Sequence, residues 1–173
     1  MGTVLFITGC PGSGKSTVAA LLHEKLKCPW YEFGWIPEFR QKNPHTEISY
    51  EEEELISLEN LLLVTDNYLQ HGFSYVILTD IREPYTDMVY QHFPAEQIRL
   101  VTLIAEDDAV IRRRVLTRDN GNDYRNAEEA AGLNRIFRTR PLLTGEIRIL
   151  CDHCTAEETA ERILAALKPE QSV

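Results

Sequence analysis

An eight-residue stretch near the start of the chain has the residue types of a phosphate-binding loop. Residues 9–16 read GCPGSGKS and match the pattern G-x-x-x-x-G-K-[ST] at every fixed position. Gly9, Gly12 and Gly14 let the backbone approach an anion closely, so that successive N–H groups can point at a phosphate. The stretch therefore predicts a site for the phosphates of a nucleotide.

Two side chains complete this chemistry. Lys15 supplies a cation for the β- and γ-phosphates, and the Ser16 hydroxyl is placed to ligate Mg²⁺. A helix that begins at the end of the loop adds its unpaired N–H groups to the same site. We expect ATP and Mg²⁺ as cofactors, with nucleotide contacts from Gly9, Gly12, Ser13, Gly14, Lys15, Ser16 and Thr17.

The flanks of the loop have the order that this chemistry needs. Thr3 to Thr8 is a β-branched and apolar run typical of a buried strand, and Thr17 to Leu26 has helical spacing. Strand, glycine loop and helix therefore follow one another. At these residues the sequence resembles the P-loop nucleoside triphosphate-binding superfamily.

Acidic residues close two further predicted strands. The strand Ser74 to Asp80 ends in a carboxylate, and the short aromatic strand Pro29 to Phe33 contains Glu32 near its end. Ligands of open α/β sheets lie beyond the carboxyl ends of the strands, which is also where the loop lies. We expect Asp80 to organise Mg²⁺ together with Ser16.

Arginines are concentrated in one later segment. Eight of the 18 Lys and Arg residues are arginines between Arg112 and Arg140. Arg114 and Arg118 are four residues apart on a predicted helix, so their guanidinium groups can clamp a phosphoryl group during transfer. A helix, a glycine turn and a second helix, at about residues 115–140, predict a small lid. The alternative is a solvated helix pair with surface ion pairs to Asp107, Asp108, Glu128 and Glu129.

The remaining elements follow from periodicity and caps. The longest predicted helix runs from Tyr50 to Gln70 behind a capping box of Ser49 and Glu52, and its glutamates, Glu51 to Glu54, are expected on a solvated face. The other predicted elements are the strands Ile98–Ile104 and Glu146–Cys151 and the helices Asp107–Arg118, Ala127–Arg138 and Ala156–Leu167. Thr155 and Glu158 form a second capping box before the last of these helices. Five strands alternating with helices predict one α/β domain over residues 1–173, a three-layer P-loop NTPase fold with a five-stranded parallel sheet and helices on both faces.

Composition limits the partners and the compartment. A net charge of −9 disfavours extended nucleic-acid binding, and no apolar run approaches the length of a membrane span. The strand pattern begins at Thr3, so we expect no leader and a cytoplasmic protein. Cys151 and Cys154 have the spacing of half a zinc site or of a redox pair, but no second C-x-x-C exists, and we interpret the four cysteines as reduced thiols.

The whole layout resembles the small P-loop kinases, which include nucleoside monophosphate, shikimate and gluconate kinases and chloramphenicol phosphotransferase. The resemblance implies transfer of the γ-phosphate of Mg-ATP to a hydroxyl of a small molecule, by a monomer or homodimer. It also implies that Lys15, Asp80, Arg114 and Arg118 act in catalysis. Many relatives carry an Asp after the second strand as proton acceptor; here Glu32 is nearest by position, and Glu38 is the competing acid.

Two other classes of function use the same loop. A nucleotide-binding regulatory module would control a partner surface, but the asparagine-lysine-x-aspartate motif that reads guanine is not present in the sequence. A partner-stimulated ATPase would hydrolyse ATP rapidly only beside another protein. Dependence of ATP consumption on a small molecule distinguishes the kinase from both.

Overall fold

The chain forms one parallel sheet whose central strand leads into the glycine loop. The structure is a computed structural model that describes residues 2–35, 48–82, 85–119 and 123–167. The strands are β1 (Thr3–Gly9), β2 (Trp30–Glu32), β3 (Tyr75–Thr79), β4 (Ile98–Ile104) and β5 (Glu146–Leu150). Their order is β2-β3-β1-β4-β5, with every neighbouring pair parallel, so the carboxyl ends of all five strands lie at one edge.

Helices connect the strands and cover the sheet. They are α1 (Lys15–Leu26), α2 (Tyr50–Gln70), α3 (Thr86–His92), α4 (Asp108–Thr117), α5 (Ala127–Thr139) and α6 (Ala156–Leu167). Within the described ranges, no helix has both the length and the hydropathy needed to cross a bilayer.

The alternation of β1 explains why the sheet is buried on both faces. Val4 and Phe6 pack into a core with α2 and α3, whereas Leu5 and Ile7 pack into a second core with α1 and α6. All four side chains are fully buried, as expected for the central strand of a sheet with helices on both sides. The predicted three-layer α/β architecture is confirmed.

Local signals located several element ends correctly. Helix α2 has the predicted bounds, and Ser49 Oγ accepts a hydrogen bond from the Glu52 amide at 3.1 Å. At the start of α6, Thr155 and Glu158 form the reciprocal pair of a capping box. These ends depend on residues three positions apart, which is why the sequence alone identifies them.

Several elements differ from the prediction, most of them by one or two residues at an end. Helix α3 has only seven residues and was not predicted, because it is too short to show a period. Helix α1 begins at Lys15 rather than Thr17, and β2 ends at Glu32, since Phe33 starts a 3₁₀ turn.

The prediction that the glutamate run forms a solvated face is wrong for half of its members. Glu51 and Glu52 are exposed, but Glu53 is 3% and Glu54 8% exposed. The physical reason for Glu54 is that its carboxylate accepts hydrogen bonds from a guanidinium and two tyrosine hydroxyls, which compensate for its burial. The first turn of α2 therefore brings a buried carboxylate to the sheet edge.

Candidate active site

The glycine loop connects β1 to α1 in a conformation that requires glycine. Gly9 and Gly14 have φ angles of 145° and 94°. A Cβ on Gly9 would lie 2.6 Å from the Leu103 carbonyl oxygen, so the loop also packs too closely against β4 for a side chain there. Gly14 is the N-cap of α1, which places the first free N–H groups of the helix at the loop.

Lys15 crosses the loop and reaches the neighbouring strand. Its Nζ donates to the carbonyl oxygens of Gly9, at 2.9 Å, and Cys10, at 3.3 Å, and lies 3.8 Å from Asp80 Oδ1. The Lys15 side chain is only 12% exposed, whereas that of Asp80 is 59% exposed. The ammonium group is thus held beside the loop by local contacts, next to an accessible carboxylate.

Ser13, Ser16 and Thr17 complete the predicted nucleotide contacts. Ser13 is 1% exposed, and its Oγ has no hydrogen-bond partner among the described residues. Ser16 and Thr17 are exposed on the first turn of α1. All three hydroxyls therefore lie on the loop or on the first helical turn that follows it.

Asp80 and Glu32 lie at the ends of adjacent strands. Glu32 pairs in register with Thr79 across β2 and β3, and Asp80 follows directly. Asp80 has a φ of 65°, the left-handed region, which turns the chain out of β3 at this point. The Oε1 atom of Glu32 is buried and has no hydrogen-bond partner within the described part of the chain. The structure therefore brings together the two acids that the sequence placed at strand ends.

Two cavities meet at Lys15 and Asp80. The first, about 800 Å³ and called here the P-loop cavity, is lined by Gly12, Gly14, Ser16, Thr17, Trp30, Glu32, Trp35, Arg114 and Arg118 as well as by Lys15 and Asp80. The second, about 550 Å³ and called the Glu54 cavity, is lined by Glu54, Tyr50, Arg82, Phe33, Arg140 and Leu143, among others, and again by Lys15 and Asp80. A ligand in one cavity therefore approaches a ligand in the other at this junction.

Arg114 and Arg118 both face the P-loop cavity, but the backbone supports them differently. Arg114 lies in α4 and donates to the Cys151 carbonyl oxygen at 2.8 Å. Arg118 is the C-cap of α4 and has extended backbone; its guanidinium donates to the Tyr124 carbonyl oxygen at 2.9 Å and lies 5.8 Å from the centroid of the Tyr124 ring. The two guanidiniums line the same cavity as Ser16 and Glu32.

Three other arginines of this segment are held by ion pairs. Arg112 pairs with Glu128 at 2.7 Å, while Arg135 and Arg138 approach Asp108 at 3.1 and 3.6 Å. For these three residues the alternative of ion pairs between the helices describes the contacts. The interpretation of residues 115–140 as a lid stays a prediction.

A compact polar cluster stands at the end of the Glu54 cavity. Glu54 Oε1 accepts from Arg82 Nη2 and from the Tyr50 hydroxyl at 2.8 Å, and Glu54 Oε2 accepts from the Tyr85 hydroxyl at 3.1 Å. Arg82 Nη2 also donates to the Tyr50 hydroxyl at 3.1 Å. The cluster joins α2 to the segments that follow β3.

Two cysteines lie buried behind the loop. Cys10 and Cys151 belong to one apolar cluster with Ile111, Val115 and Ala130. Burial raises the pKa of Cys10 to about 12, and burial also raises the pKa of Cys151 even though Arg114 opposes the change. Both are therefore neutral thiols at physiological pH, and all four cysteines are free.

A comparison with family models assigns the chain. Residues 5–133 match the family described as AAA domain, a stretch that includes the loop, Asp80, Arg114 and Arg118. The chain belongs to this AAA domain family. Among curated protein sequences no significant match was found.

Solved structures of small-molecule kinases have the same fold as this AAA-domain protein. A sugar kinase from Janibacter sp. HTCC2649 has a TM-score of 0.66 at 17% identity, covering 95% of this chain and 94% of the other. A gluconokinase from Sinorhizobium meliloti 1021 has a TM-score of 0.62 at 17% identity, over 96% and 93%. A shikimate kinase from Acinetobacter baumannii, in complex with shikimate, has a TM-score of 0.57 at 18% identity, over 96% and 93%. The resemblance to small P-loop kinases, stated above from motifs and order, is confirmed at the level of fold.

The site of this AAA-domain protein has oxygen atoms suited to a magnesium ion. Ser16 and Asp80 line the same cavity, and Mg²⁺ in nucleotide sites takes one or two protein oxygens together with phosphate oxygens and water. These two residues fit that requirement. Within the described ranges no cluster of three or more His, Cys, Asp and Glu side chains is suited to hold a metal.

Sequence reasoning missed the polar residues of the Glu54 cavity. Glu54 of α2 meets Arg82 and Tyr85 only after α2 folds against the end of β3, and Arg140 meets Glu146 at the start of β5. The sequence contains one signal for this cluster: helical period turns two glutamates at the start of α2, Glu53 and Glu54, toward the interior. Glu38 lies outside the described residues.

Proposed function

We propose that the protein is an ATP-dependent phosphotransferase that moves the γ-phosphate of Mg-ATP to a hydroxyl of a small molecule. The observation that supports this most directly is the junction of two cavities at Lys15 and Asp80. One cavity contains the loop that suits nucleotide phosphates, and the other has polar and apolar walls that suit an acceptor. A kinase needs this arrangement because its two substrates must meet at the transferred phosphoryl group.

In this proposal the loop and Lys15 hold the donor. The amides after Gly12 and at the start of α1 bind phosphate oxygens, and the Lys15 ammonium neutralises the β- and γ-phosphates. Ser16 and Asp80 hold the Mg²⁺ of Mg-ATP, which supplies charge neutralisation when bound. Lys15 Nζ and Asp80 Oδ1 lie 3.8 Å apart, so the cation and the metal-binding carboxylate of this proposal stand side by side.

Arg114 and Arg118 are proposed to stabilise the charge that develops on the phosphoryl oxygens during transfer. Both line the P-loop cavity, and the contacts to the Cys151 and Tyr124 carbonyl oxygens orient their guanidiniums. Because catalysis of phosphoryl transfer rests on positioning and electrostatics, oriented guanidiniums beside the loop are well suited to it.

Glu32 is proposed as the acceptor of the hydroxyl proton. Its buried Oε1 has no hydrogen-bond partner among the described residues, and a carboxylate oxygen of this kind is available to a substrate hydroxyl. Gly34, two residues further on, lines both cavities, so the chain that carries Glu32 passes the junction. Glu38 remains the competing acid.

The experiment that tests the function is acceptor-dependent ADP release. Purified protein with Mg-ATP is screened against sugars, hydroxy acids, nucleosides and aminoglycoside and phenicol antibiotics. Lys15→Ala is expected to lower the rate by at least about 100-fold, since it removes a cation that contacts the transferring phosphate. Lys25→Ala, which removes an exposed lysine of the same helix, serves as the matched control and should leave the rate unchanged. Failure to bind Mg-ATP, or full activity in Lys15→Ala, would reject the proposal.

A second candidate is a partner-stimulated ATPase, which the AAA description of the family favours. It predicts ATP hydrolysis that a second protein accelerates and that no small hydroxyl compound affects. The same screen separates the two functions, because a kinase releases ADP together with a phosphorylated acceptor and an ATPase releases ADP together with inorganic phosphate.

A further inference from the structure

We propose that the acceptor is an uncharged hydroxyl compound with an apolar face, and that the Glu54 cavity selects against carboxylates and phosphate esters. The inference rests on the kinase function proposed above and specifies its second substrate. It follows from how the charges of the cavity are paired and from the character of its remaining walls.

The first guanidinium of the cavity is already neutralised. Arg82 donates to Glu54 and to the Tyr50 hydroxyl, and the Glu54 carboxylate, whose side chain is 10% exposed, accepts from Tyr85 as well. An anionic acceptor that approached Arg82 would meet a guanidinium whose charge Glu54 already offsets, and its own charge would lie close to the Glu54 carboxylate. It would therefore gain less from Arg82 than from an arginine without a carboxylate partner.

The second guanidinium is paired still more completely. Arg140 makes a bidentate contact with Glu146, with distances of 2.6 and 2.8 Å, and the Glu146 side chain is fully buried. Burial alone would raise the pKa of Glu146, but hydrogen bonds from Arg140, Thr102 and the Leu143 amide outweigh it and lower the pKa. Glu146 is therefore ionised at neutral pH and offsets the charge of Arg140 at the cavity wall, while Arg148, whose Nε lies 3.7 Å from Glu146 Oε1, approaches the same carboxylate.

The other ionised groups among the described lining residues give no cation to an acceptor. Lys15 and Asp80 face each other at the junction, where Lys15 is assigned to the nucleotide phosphates. Glu129 adds a negative charge, and its Oε2 accepts from the Tyr124 hydroxyl at 3.0 Å. Within the described lining, every arginine is thus paired with a carboxylate. The carboxylate of Glu129 adds a further negative charge, which repels an anionic acceptor.

Much of the remaining lining is apolar. Six side chains contribute this surface: Phe33, Ile81, Leu100, Leu133, Phe137 and Leu143. A volume of about 550 Å³ falls in the range of about 300–1,000 Å³ for sites that bind small organic molecules. An acceptor with an apolar face and one or more hydroxyls is complementary to these walls, whereas a compact polyanion is not.

Matched acceptor pairs test the inference. Each pair consists of a carboxylate and its neutral methyl ester: methyl shikimate and shikimate, methyl glucuronate and glucuronate, and methyl 4-(hydroxymethyl)benzoate and 4-(hydroxymethyl)benzoate. Binding to the full chain with the non-hydrolysable analogue of Mg-ATP is measured by calorimetry, and ADP release with Mg-ATP is measured in parallel. The neutral member of a pair is expected to exceed the anionic member by at least about tenfold in affinity or in kcat/KM.

A variant reverses the selection. Glu54→Gln keeps an oxygen for the tyrosine hydroxyls but removes the charge that neutralises Arg82. The affinity or kcat/KM of the neutral member divided by that of the anionic member should therefore fall by about tenfold. Glu51→Gln is the matched control, because it removes the same charge from an exposed position of the same helix and should leave the ratio unchanged. Circular dichroism and thermal unfolding verify that both variants fold.

The outcomes separate this inference from the kinase proposal. Tighter binding or faster turnover of the anionic members by the unaltered protein overturns the inference and leaves the kinase function standing. An equal shift of the neutral-to-anionic ratio in Glu54→Gln and Glu51→Gln also overturns the inference, because the shift would then reflect the net charge of the protein and not the pairing of Arg82. Loss of Mg-ATP binding, or no acceptor-dependent ADP release and no acceptor binding in any pair, overturns the kinase function and this inference with it.

Discussion

At the scale of single residues, the loop glycines are fixed by what surrounds them. A Cβ on Gly12 would lie 2.9 Å from Val115 Cγ2, and the φ of Gly12 is 83°. The contact excludes a side chain at position 12 unless α4 moves, and the positive φ angle strains any residue with a Cβ there. Glycine at position 12 is therefore required by its packing against α4, in addition to the close approach of a phosphate to the loop.

Gly12→Ala is expected to weaken both folding and nucleotide binding. Strain at a positive φ and a close contact with α4 should together lower the free energy of unfolding by about 1–3 kcal/mol. Urea unfolding and Mg-ATP titration measure the two effects. Gly132→Ala is the contrasting control: a Cβ there has no atom within 4 Å in the helix interior, so the change should raise stability by about 0.5–1 kcal/mol. Equal effects of the two substitutions would contradict the argument.

The assignment of the general base is also decided at the residue scale. Glu32→Gln is expected to lower kcat by about 100-fold or more while leaving the KM for ATP unchanged, because the loss concerns the hydroxyl proton and not the phosphates. Glu24→Gln, exposed on α1, is the control. If kcat in Glu32→Gln stays within a fewfold of the unaltered enzyme, the proton acceptor is another acid, with Glu38 the first candidate.

At the scale of elements, the sequence predicted what local signals carry and missed what tertiary contacts create. The loop, the caps of α2 and α6 and the acid after β3 depend on residues close together in the chain, and all are where they were predicted. Glu54 meets Arg82 across 28 positions, and Thr102 meets Glu146 across 44. No period or spacing identifies such partners, so most of the P-loop cavity could be predicted and the polar wall of the Glu54 cavity could not.

Helix α5 is fixed to the sheet by one buried side chain. Asn134 is fully buried; its amide group bonds both the N–H and the carbonyl oxygen of Ala105, each at 2.9 Å, and it reaches Asp108 at 2.8 Å. Sequence periodicity places this residue on α5 but does not indicate its partners. The contact makes α5 continuous with the carboxyl end of β4, where α4 begins.

Asn134→Ala is therefore expected to lower the free energy of unfolding by about 2–3 kcal/mol, because it leaves the buried N–H of Ala105 without its partner and removes one of the two hydrogen bonds to the Ala105 carbonyl oxygen, the other coming from Arg138. Asn126→Ala removes the surface N-cap of the same helix and should cost only about 1 kcal/mol. Chemical denaturation of the two variants measures the difference. A larger loss for Asn126→Ala would show that the cap, and not the buried contact, holds α5.

At the scale of the whole molecule, one buried carboxylate joins three parts of the fold. Glu146 at the start of β5 bonds Thr102 of β4 at 2.5 Å, the Leu143 amide at 2.7 Å and Arg140. The same residue neutralises the wall of the Glu54 cavity, so the charge that defines the proposed acceptor site also stabilises the sheet. An apolar side chain at position 146 could neither neutralise Arg140 nor accept the hydrogen bonds that join β5 to β4.

This double role predicts a specific dependence of stability on pH. The folded protein lowers the pKa of Glu146, so the contribution of Glu146 to the free energy of unfolding is fully present above the pKa of an unfolded glutamate, about 4.3. This contribution is lost as the pH falls through the lower pKa of the folded state.

Glu146→Gln removes this titration. The difference in unfolding free energy between the unaltered protein and Glu146→Gln should therefore be largest at neutral pH and shrink between about pH 5 and pH 3, as measured by urea unfolding. Glu59→Gln, an exposed change on α2, should show no such trend. A difference that stays constant over this range would mean that Glu146 acts by shape and hydrogen bonding rather than by charge, and the neutralisation of Arg140 would lose its electrostatic basis.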